Sequence, residues 1–333
     1  MNKISNDIKF NLLFKYYLND KDSLNLFKAC KQQYAKIKSY KYKIEVKYQK
    51  LNQYKNCIVS KIYNVDDFQL LTNHITHLTF SGTFNQPILG QELPNSIIHL
   101  TFGQEFNQPV SANNLPTSIT HLKFGNSFNQ YVDNLPKSIT HLIFGIHFNR
   151  LVCNLPKFTT HLIFGWCFNQ FVNNLPSFIT NLEFSWKFNQ EIDNLPNSIT
   201  RLKFGSDFNY PVDHLPNAIT HLTFGENFNH SVDHLPSSLT HLNFGHEFNQ
   251  PVNHLPHSIT HLTFGWKFNC SLVNLPNSVT HLELCDNFDQ PLNSLPTSIT
   301  HLIIIRCFLR RYVIFRNINL PNGNIIYKNR PLY

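Results

Sequence analysis

Residues 128–147 read Phe128-Asn129-Gln130-Tyr131-Val132-Asp133-Asn134-Leu135-Pro136-Lys137-Ser138-Ile139-Thr140-His141-Leu142-Ile143-Phe144-Gly145-Ile146-His147, and Phe148 begins the same phrase again. The Phe-Asn pair that opens it stands at 84, 106 and 128, then at 148, 168, 188, 208, 228, 248 and 268, with Phe288-Asp289 as a late variant. A period of 22 and then 20 residues, held over that distance, leaves no room for a second globular domain inside it. Within the phrase, Ile-Thr-His-Leu-x-Phe-Gly alternates as a strand does: at 119–125, Leu122 and Phe124 point one way and His121 and Lys123 the other. The Leu-Pro before each strand lacks an N–H for a ladder and keeps its neighbour extended, so the rest of the unit is turn and extended chain. The prediction is a repeat solenoid with one short parallel strand per coil, about 12 strands in all. Strands lie roughly 4.8 Å apart, and each coil needs its neighbours because its own apolar edge is too small to be stable.

The constant positions read as construction. Phe at two repeated positions accounts for 22 of the 30 in the chain. Ile119, Leu122, Phe124 and Phe128 should form a column with their counterparts, each aromatic stack adding roughly 0.5–1.5 kcal/mol beyond area burial. Asn129 and its equivalents should form a ladder of buried amides that satisfies backbone groups at a turn. Gly125 and its equivalents end the strand where a positive φ is expected. His77, His99, His121, His141, His161, His221, His241, His261, His281 and His301 share one strand position and should line up on the sheet face, interrupted by Asn181 and Arg201. Crowded imidazoles oppose each other's protonation, so the line should titrate below about pH 6.5 and the solenoid should loosen between roughly pH 7.5 and 5. A straight line brings too few ligands to one point for zinc or copper, so no metal or cofactor is expected.

Charge divides unevenly. Residues 1–70 carry 14 Lys against six acids, residues 71–302 carry eight basic side chains against 14 acids, and residues 303–333 carry six basic side chains and no acid. The basicity belongs to the ends. A Lys-rich start could touch nucleic acid, but a solvated face is the simpler reading, and nothing basic runs along the repeats. Seven scattered cysteines without a C-x-x-C pair suggest reduced thiols in an intracellular protein, cytoplasmic or nuclear. No run approaches the roughly 18 apolar residues of a membrane span. Gly-rich phosphate loops, nucleophile elbows and H-E-x-x-H are missing and the acids lie singly, so no enzyme is expected.

The repeated F-N-Q-P-V-x-N-L-P-x-S-I-T-H-L-x-F-G resembles the FNIP repeat, abundant in social amoebae and giant amoebal viruses, over roughly residues 75–302. That unit is similar in turn to short leucine-rich repeats, which implies a curved right-handed solenoid with its sheet concave, in a host cell if the protein is viral. The family's Pro is replaced by Tyr131, Leu151, Phe171, Glu191 and Ser231, and late units carry Leu284 and Ile304 in place of Phe. Residues 1–45 are predicted as a helical segment that resembles an F-box, with Tyr17-Leu18, Asp22-Ser23-Leu24-Asn25-Leu26 and Ala29-Cys30-Lys31, though the leading Leu-Pro of that family is missing. The resemblance implies contact with the Skp adaptor through Leu13, Tyr17, Leu18, Leu24, Leu26 and Cys30, and a role in recruiting substrates to a cullin-type ubiquitin ligase. A plain N-terminal cap remains the alternative, with residues 46–74 as linker and solenoid cap and 303–333 as a degenerate C-terminal cap.

Positions that vary on the exposed side are the ones that can choose a partner. The residue after His-Leu becomes apolar at Ile143 and Ile163, and the residue after Gly or its substitute becomes Ile146, Trp166 and Trp186. With Glu183, Lys187 and Arg201 beside them, these form the candidate contact for an unknown protein target on the sheet face or its rim. An interaction scaffold is therefore expected, with a structural or decoy repeat protein as the alternative.

Overall fold

The computed structural model describes residues 44–47, 59–69, 71–90, 92–306 and 324–329. Among them there is no helix. Instead there are 15 strands: β1 Ile44–Lys47, β2 Val59–Val65, β3 His77–Phe80, β4 His99–Thr101, β5 His121–Lys123, β6 His141–Ile143, β7 His161–Ile163, β8 Asn181–Glu183, β9 Arg201–Lys203, β10 His221–Thr223, β11 His241–Asn243, β12 His261–Thr263, β13 His281–Cys285, β14 His301–Arg306 and β15 Asn324–Asn329. They form one parallel sheet in sequence order. From β3 to β14 the register is in phase, so that His221 lies beside His241 and Leu222 beside Leu242. Of the segment 1–45 expected to be helical, residues 1–43 lie outside the described ones, and Ile44 and Glu45 begin β1 instead.

Three strands exceed the twelve expected. β1 and β2 fall in or beside the segment read as linker and cap, and β15 in the segment read as C-terminal cap. They lack the repeated phrase but keep its alternation at the ladder, with Ile62 beside Leu78 and Leu302 beside Ile325. Parallel pairing needs backbone groups and an apolar inner position, not the consensus.

Each full coil turns twice. Ile139 N–H reaches Pro136 O at 3.2 Å before the strand, and Phe128 N–H reaches Gly125 O at 3.4 Å after the preceding one. Between these turns the inward positions form a continuous core: Ile119, Leu122, Phe124, Phe128, Val132 and Leu135 are all buried. The phenylalanines stack along the axis as expected, Phe124 on Phe144 at 5.6 Å and Phe128 on Phe148 at 6.1 Å between ring centroids. The tightest stack, however, lies within one coil: Phe124 and Phe128 are 3.7 Å apart and 11° from parallel, and Phe164 and Phe168 repeat this at 3.7 Å. The turn at Gly125 folds the second ring back over the first.

Two construction readings need correction. The asparagine ladder exists, since Asn149 N–H donates to Asn129 Oδ1 at 3.0 Å and Asn169 N–H to Asn149 Oδ1 at 2.9 Å, and so on to Asp289 N–H on Asn269 Oδ1. Its amides are half-buried or exposed rather than buried, because the turn carries them on the flank of the coil. The strand-ending glycines are also not there for a positive φ, which among described glycines occurs only at Gly90. They are there for closeness: a Cβ on Gly145 would stand 2.0 Å from Gly125 O, and one on Gly165 1.7 Å from Gly145 O. Ser185 and Cys285 occupy this position in other coils, and at Cys285 the strand runs on to pair with Ile305. Gly145→Ala is expected to cost about 1–3 kcal/mol through forced backbone shifts, read as a lower urea midpoint with unchanged slope.

Candidate partner-binding surface

On the sheet face the histidines form two stacked runs, His77 to His161 and His221 to His301, with neighbouring ring centroids 4.0–4.3 Å apart. Asn181 and Arg201 separate the runs, as the sequence shows. What fixes each ring is the threonine before it. Thr140 N–H, His141 N–H and the Thr140 hydroxyl all reach Thr120 O, at 2.9, 3.0 and 3.2 Å. Thr140 Oγ1 lies 2.9 Å from His141 Nδ1, so the hydroxyl's single hydrogen goes to the Thr120 carbonyl when Nδ1 carries a proton and to Nδ1 when it does not. The same set recurs at His161, His241 and His281.

Partial burial first, then neighbouring rings, holds His99, His121, His141, His261 and His281 below the ordinary histidine value, with His141 lowered to about 4. His221 is lowered by burial and then by Arg201, and His241 by burial, His221 and Arg201. These seven rings are therefore neutral rather than cationic at pH 7. Among the described residues no group of three or more metal-binding side chains could hold an ion. No described helix is long and apolar enough to cross a membrane.

The residues singled out from the sequence come together in the middle coils. Ile143 on β6 pairs in register with Ile163 on β7, both half-buried. At the rim beyond these strands, Ile146 is exposed, and Trp166 and Trp186 are 43% and 44% exposed. The two indoles stack at 4.5 Å and 3°. Glu183 is engaged by Lys203 at 2.5 Å, one strand along, while Lys187 and Arg201 are exposed. Trp266, in the same row, is only half-buried and its carbonyl accepts from Asn287 Nδ2. Leu13, Tyr17, Leu18, Leu24, Leu26 and Cys30 lie outside the described residues.

The same coils expose two further apolar rows that the sequence reading did not treat as surface. Tyr131, Leu151 and Phe171 stand at the position of the family's proline on three successive coils, Tyr131 at 63% exposure with Arg150 over its ring at 5.2 Å. Phe158 and Phe178 replace a serine just before the strand, their rings 5.6 Å apart. That serine has a structural task in other coils: Ser138 Oγ donates to Ile119 O at 2.6 Å and Ser198 Oγ to Ile179 O at 2.6 Å. At Phe158 that bond is lost: Thr159, buried where other coils have an aliphatic residue, donates its hydroxyl within its own turn to Pro156 O at 2.8 Å and lies 3.4 Å from Ile139 O. The coil has given up a serine bond and accepted a buried hydroxyl while presenting an exposed ring. The signal was legible as the loss of Pro and Ser from consecutive units.

The FNIP repeat family matches residues 68–105, 84–127, 172–207, 188–226, 208–247, 228–267, 248–284 and 268–307, together more than half of the chain. The spans stop at 127 and resume at 172, so the coils with most of these apolar exchanges lie between them. No curated protein matches the chain. Among solved structures, CroV588, described as a novel circular LRR protein structure, is 41% identical with a TM-score of 0.69 over 82% of this chain. The match spans 46% of CroV588, so this chain covers about half the length of that protein. The repeats, the in-phase parallel sheet and the leucine-rich-repeat-like neighbour agree: the chain belongs to the FNIP repeat family.

Proposed function

We propose that the protein is a protein–protein interaction scaffold whose principal contact lies on the coils from Tyr131 to Trp186. The observation that carries this is concentration. Eight of the thirteen large apolar side chains exposed among the described residues, Tyr131, Ile146, Leu151, Phe158, Trp166, Phe171, Phe178 and Trp186, fall on neighbouring coils, while Leu89, Ile98 and Val273 are scattered and Ile326 and Tyr327 form a separate pair on β15. Contiguous exposed aromatic residues mark partner surfaces, and the exchanges at 158 and 159, which trade a serine bond for an exposed ring, support that reading. The shared repeat positions are spent on the core and the ladders, which leaves the varied positions to select the target.

The test uses substitutions that other coils already carry. Ile163→Lys follows Lys123, and Trp186→Ser follows Ser206. The double variant should keep its stability within about 0.5 kcal/mol, as surface changes do, and lose at least tenfold in affinity for any protein that the wild type binds. Retained affinity would place the contact elsewhere.

The finer reading, delivery of a bound target to a cullin-type ligase through the Skp adaptor, is supported by the motif in residues 13–30 alone. Full-length protein should capture purified Skp, and Leu18→Asp with Leu24→Asp should abolish capture. Equal capture by both chains, or none by the wild type, would remove that reading.

A further inference from the structure

The rim row that contains the tryptophans continues from coil to coil. Asp207 N–H donates to Trp186 O at 2.8 Å, Asn227 N–H to Ser206 O at 2.9 Å and Glu247 N–H to Glu226 O at 2.8 Å, so Ile146, Trp166, Trp186, Ser206 and Glu226 are successive rungs. Trp166 is flanked by Ile146 on one side and Trp186 on the other. Trp186 has Trp166 stacked on one face and, towards the next rung, only the small Ser206. Among the described residues, no second ring therefore covers the far face of Trp186. A group seated above Ser206 would continue the stack at the spacing of roughly 4.8 Å that separates coils.

Two acids flank Ser206 in these rows. Glu226, on the rung beyond, is exposed and forms no ion pair among the described residues, and Asp207 lies beside Ser206, holding only Asn227 Nδ2 at 3.5 Å. On the basic side, Lys203 is occupied by Glu183, Arg201 stands at the far end of its strand, and Lys187 lies on the rung behind, beside Trp186. An indole face attracts cations, and among side chains the guanidinium is the one that is both planar and permanently charged.

We propose that the Trp186 face above Ser206 seats an arginine side chain of the protein partner, stacked on the indole with its guanidinium directed to Glu226 and Asp207. This deepens the reading of the middle coils as the contact surface and rests on it. It adds a specificity: the target segment carries an arginine placed to follow an apolar stretch lying on Ile143, Ile146 and Ile163.

The probe is an acetylated and amidated Gly-Arg-Gly peptide, with Gly-citrulline-Gly as the neutral planar control, titrated against full-length protein carrying Trp266→Phe so that fluorescence reports Trp166 and Trp186. Saturable quenching by the arginine peptide, at least about fivefold stronger than by citrulline, is expected. Trp186→Ser should remove it, Ser206→Trp should block it by filling the rung, and Glu226→Gln should reduce it severalfold; the last is an exposed change that leaves the fold intact. Equal response to both peptides, indifference to Glu226→Gln, or saturation by adenosine in place of the arginine peptide would overturn the proposal. A partner that binds Ser206→Trp as well as wild type but not Ile163→Lys would overturn the arginine seat and leave the contact surface standing. A partner indifferent to both variants would remove the surface itself.

Discussion

Lowering the pH from about 6.5 towards 4 should lower the melting temperature steadily. The sign follows from the direction of the shifts. In the unfolded chain histidine titrates near 6.5, whereas His99, His121, His141, His221, His241, His261 and His281 are held lower in the fold, His141 at about 4. Between the folded and unfolded values the unfolded chain binds more protons, so acid favours it. Stability is fully present above about pH 6.5 and is lost as the pH falls towards the folded values. Each unit of depression is worth about 1.4 kcal/mol at most, less for rings that keep contact with water. All seven shifts act in the same direction, so their losses add. The window lies lower than the one expected from crowding alone, because burial is the first cause at every ring and neighbours the second. Asp233, lowered by Ser231 and His254, and Glu247, lowered by Lys267 and His246, lose their contributions only in the carboxylate range, so measurements above pH 5 isolate the histidines. Replacing His99, His121 and His141 by asparagine, which Asn181 already provides at this position, should flatten the slope. A melting temperature constant from pH 7 to 5 in the wild type would contradict the account.

The second large effect separates two phenylalanines three residues apart. Phe168 is fully buried, 3.7 Å from Phe164 within its coil and 6.0 and 6.1 Å from Phe148 and Phe188 along the axis. Phe168→Ala should cost about 3–5 kcal/mol, since it opens a cavity that three stacked rings cannot fill. In a solenoid that loss falls on the interfaces to both neighbouring coils, so the unfolding transition should also broaden. Phe171 is 57% exposed, and Phe171→Ala should change stability by less than about 0.5 kcal/mol. Urea titrations of the two variants decide it: similar midpoints would mean that the core and surface assignments are wrong.

The fold was legible because the signals were redundant. The alternation of Leu-x-Phe, with Leu284 and Ile304 in place of Phe in the last two, placed every strand from β3 to β14, and the regular spacing placed the strands in phase. What a linear reading could not supply was anything set by the approach of one coil to the next. The glycine requirement is one case: it comes from the Gly125 carbonyl against Gly145, an atom 20 residues away in sequence. The stack of Phe124 on Phe128 is another, since a turn rather than a period brings those rings together. β1, β2 and β15 escaped because they pair without the consensus. On the candidate surface, Ile143, Ile146, Ile163, Trp166 and Trp186 were readable as exchanges at exposed positions. Tyr131, Leu151, Phe171, Phe158 and Phe178 were equally visible as exchanges, but their outward direction depends on where the coil bends. Thr159 made sense only once Phe158 was seen to have displaced a serine.

The central functional claim is that the varied middle coils, not the shared ladders, choose the partner. Its most direct test is quantitative capture from the cells that make the protein, with three full-length baits side by side: wild type, Ile163→Lys with Trp186→Ser, and Thr223→Lys as a change on the same sheet face away from the patch. The account predicts a protein retained by the wild type and by Thr223→Lys and lost from the double variant, with direct binding by the purified pair. A purified partner that binds all three baits equally would contradict it.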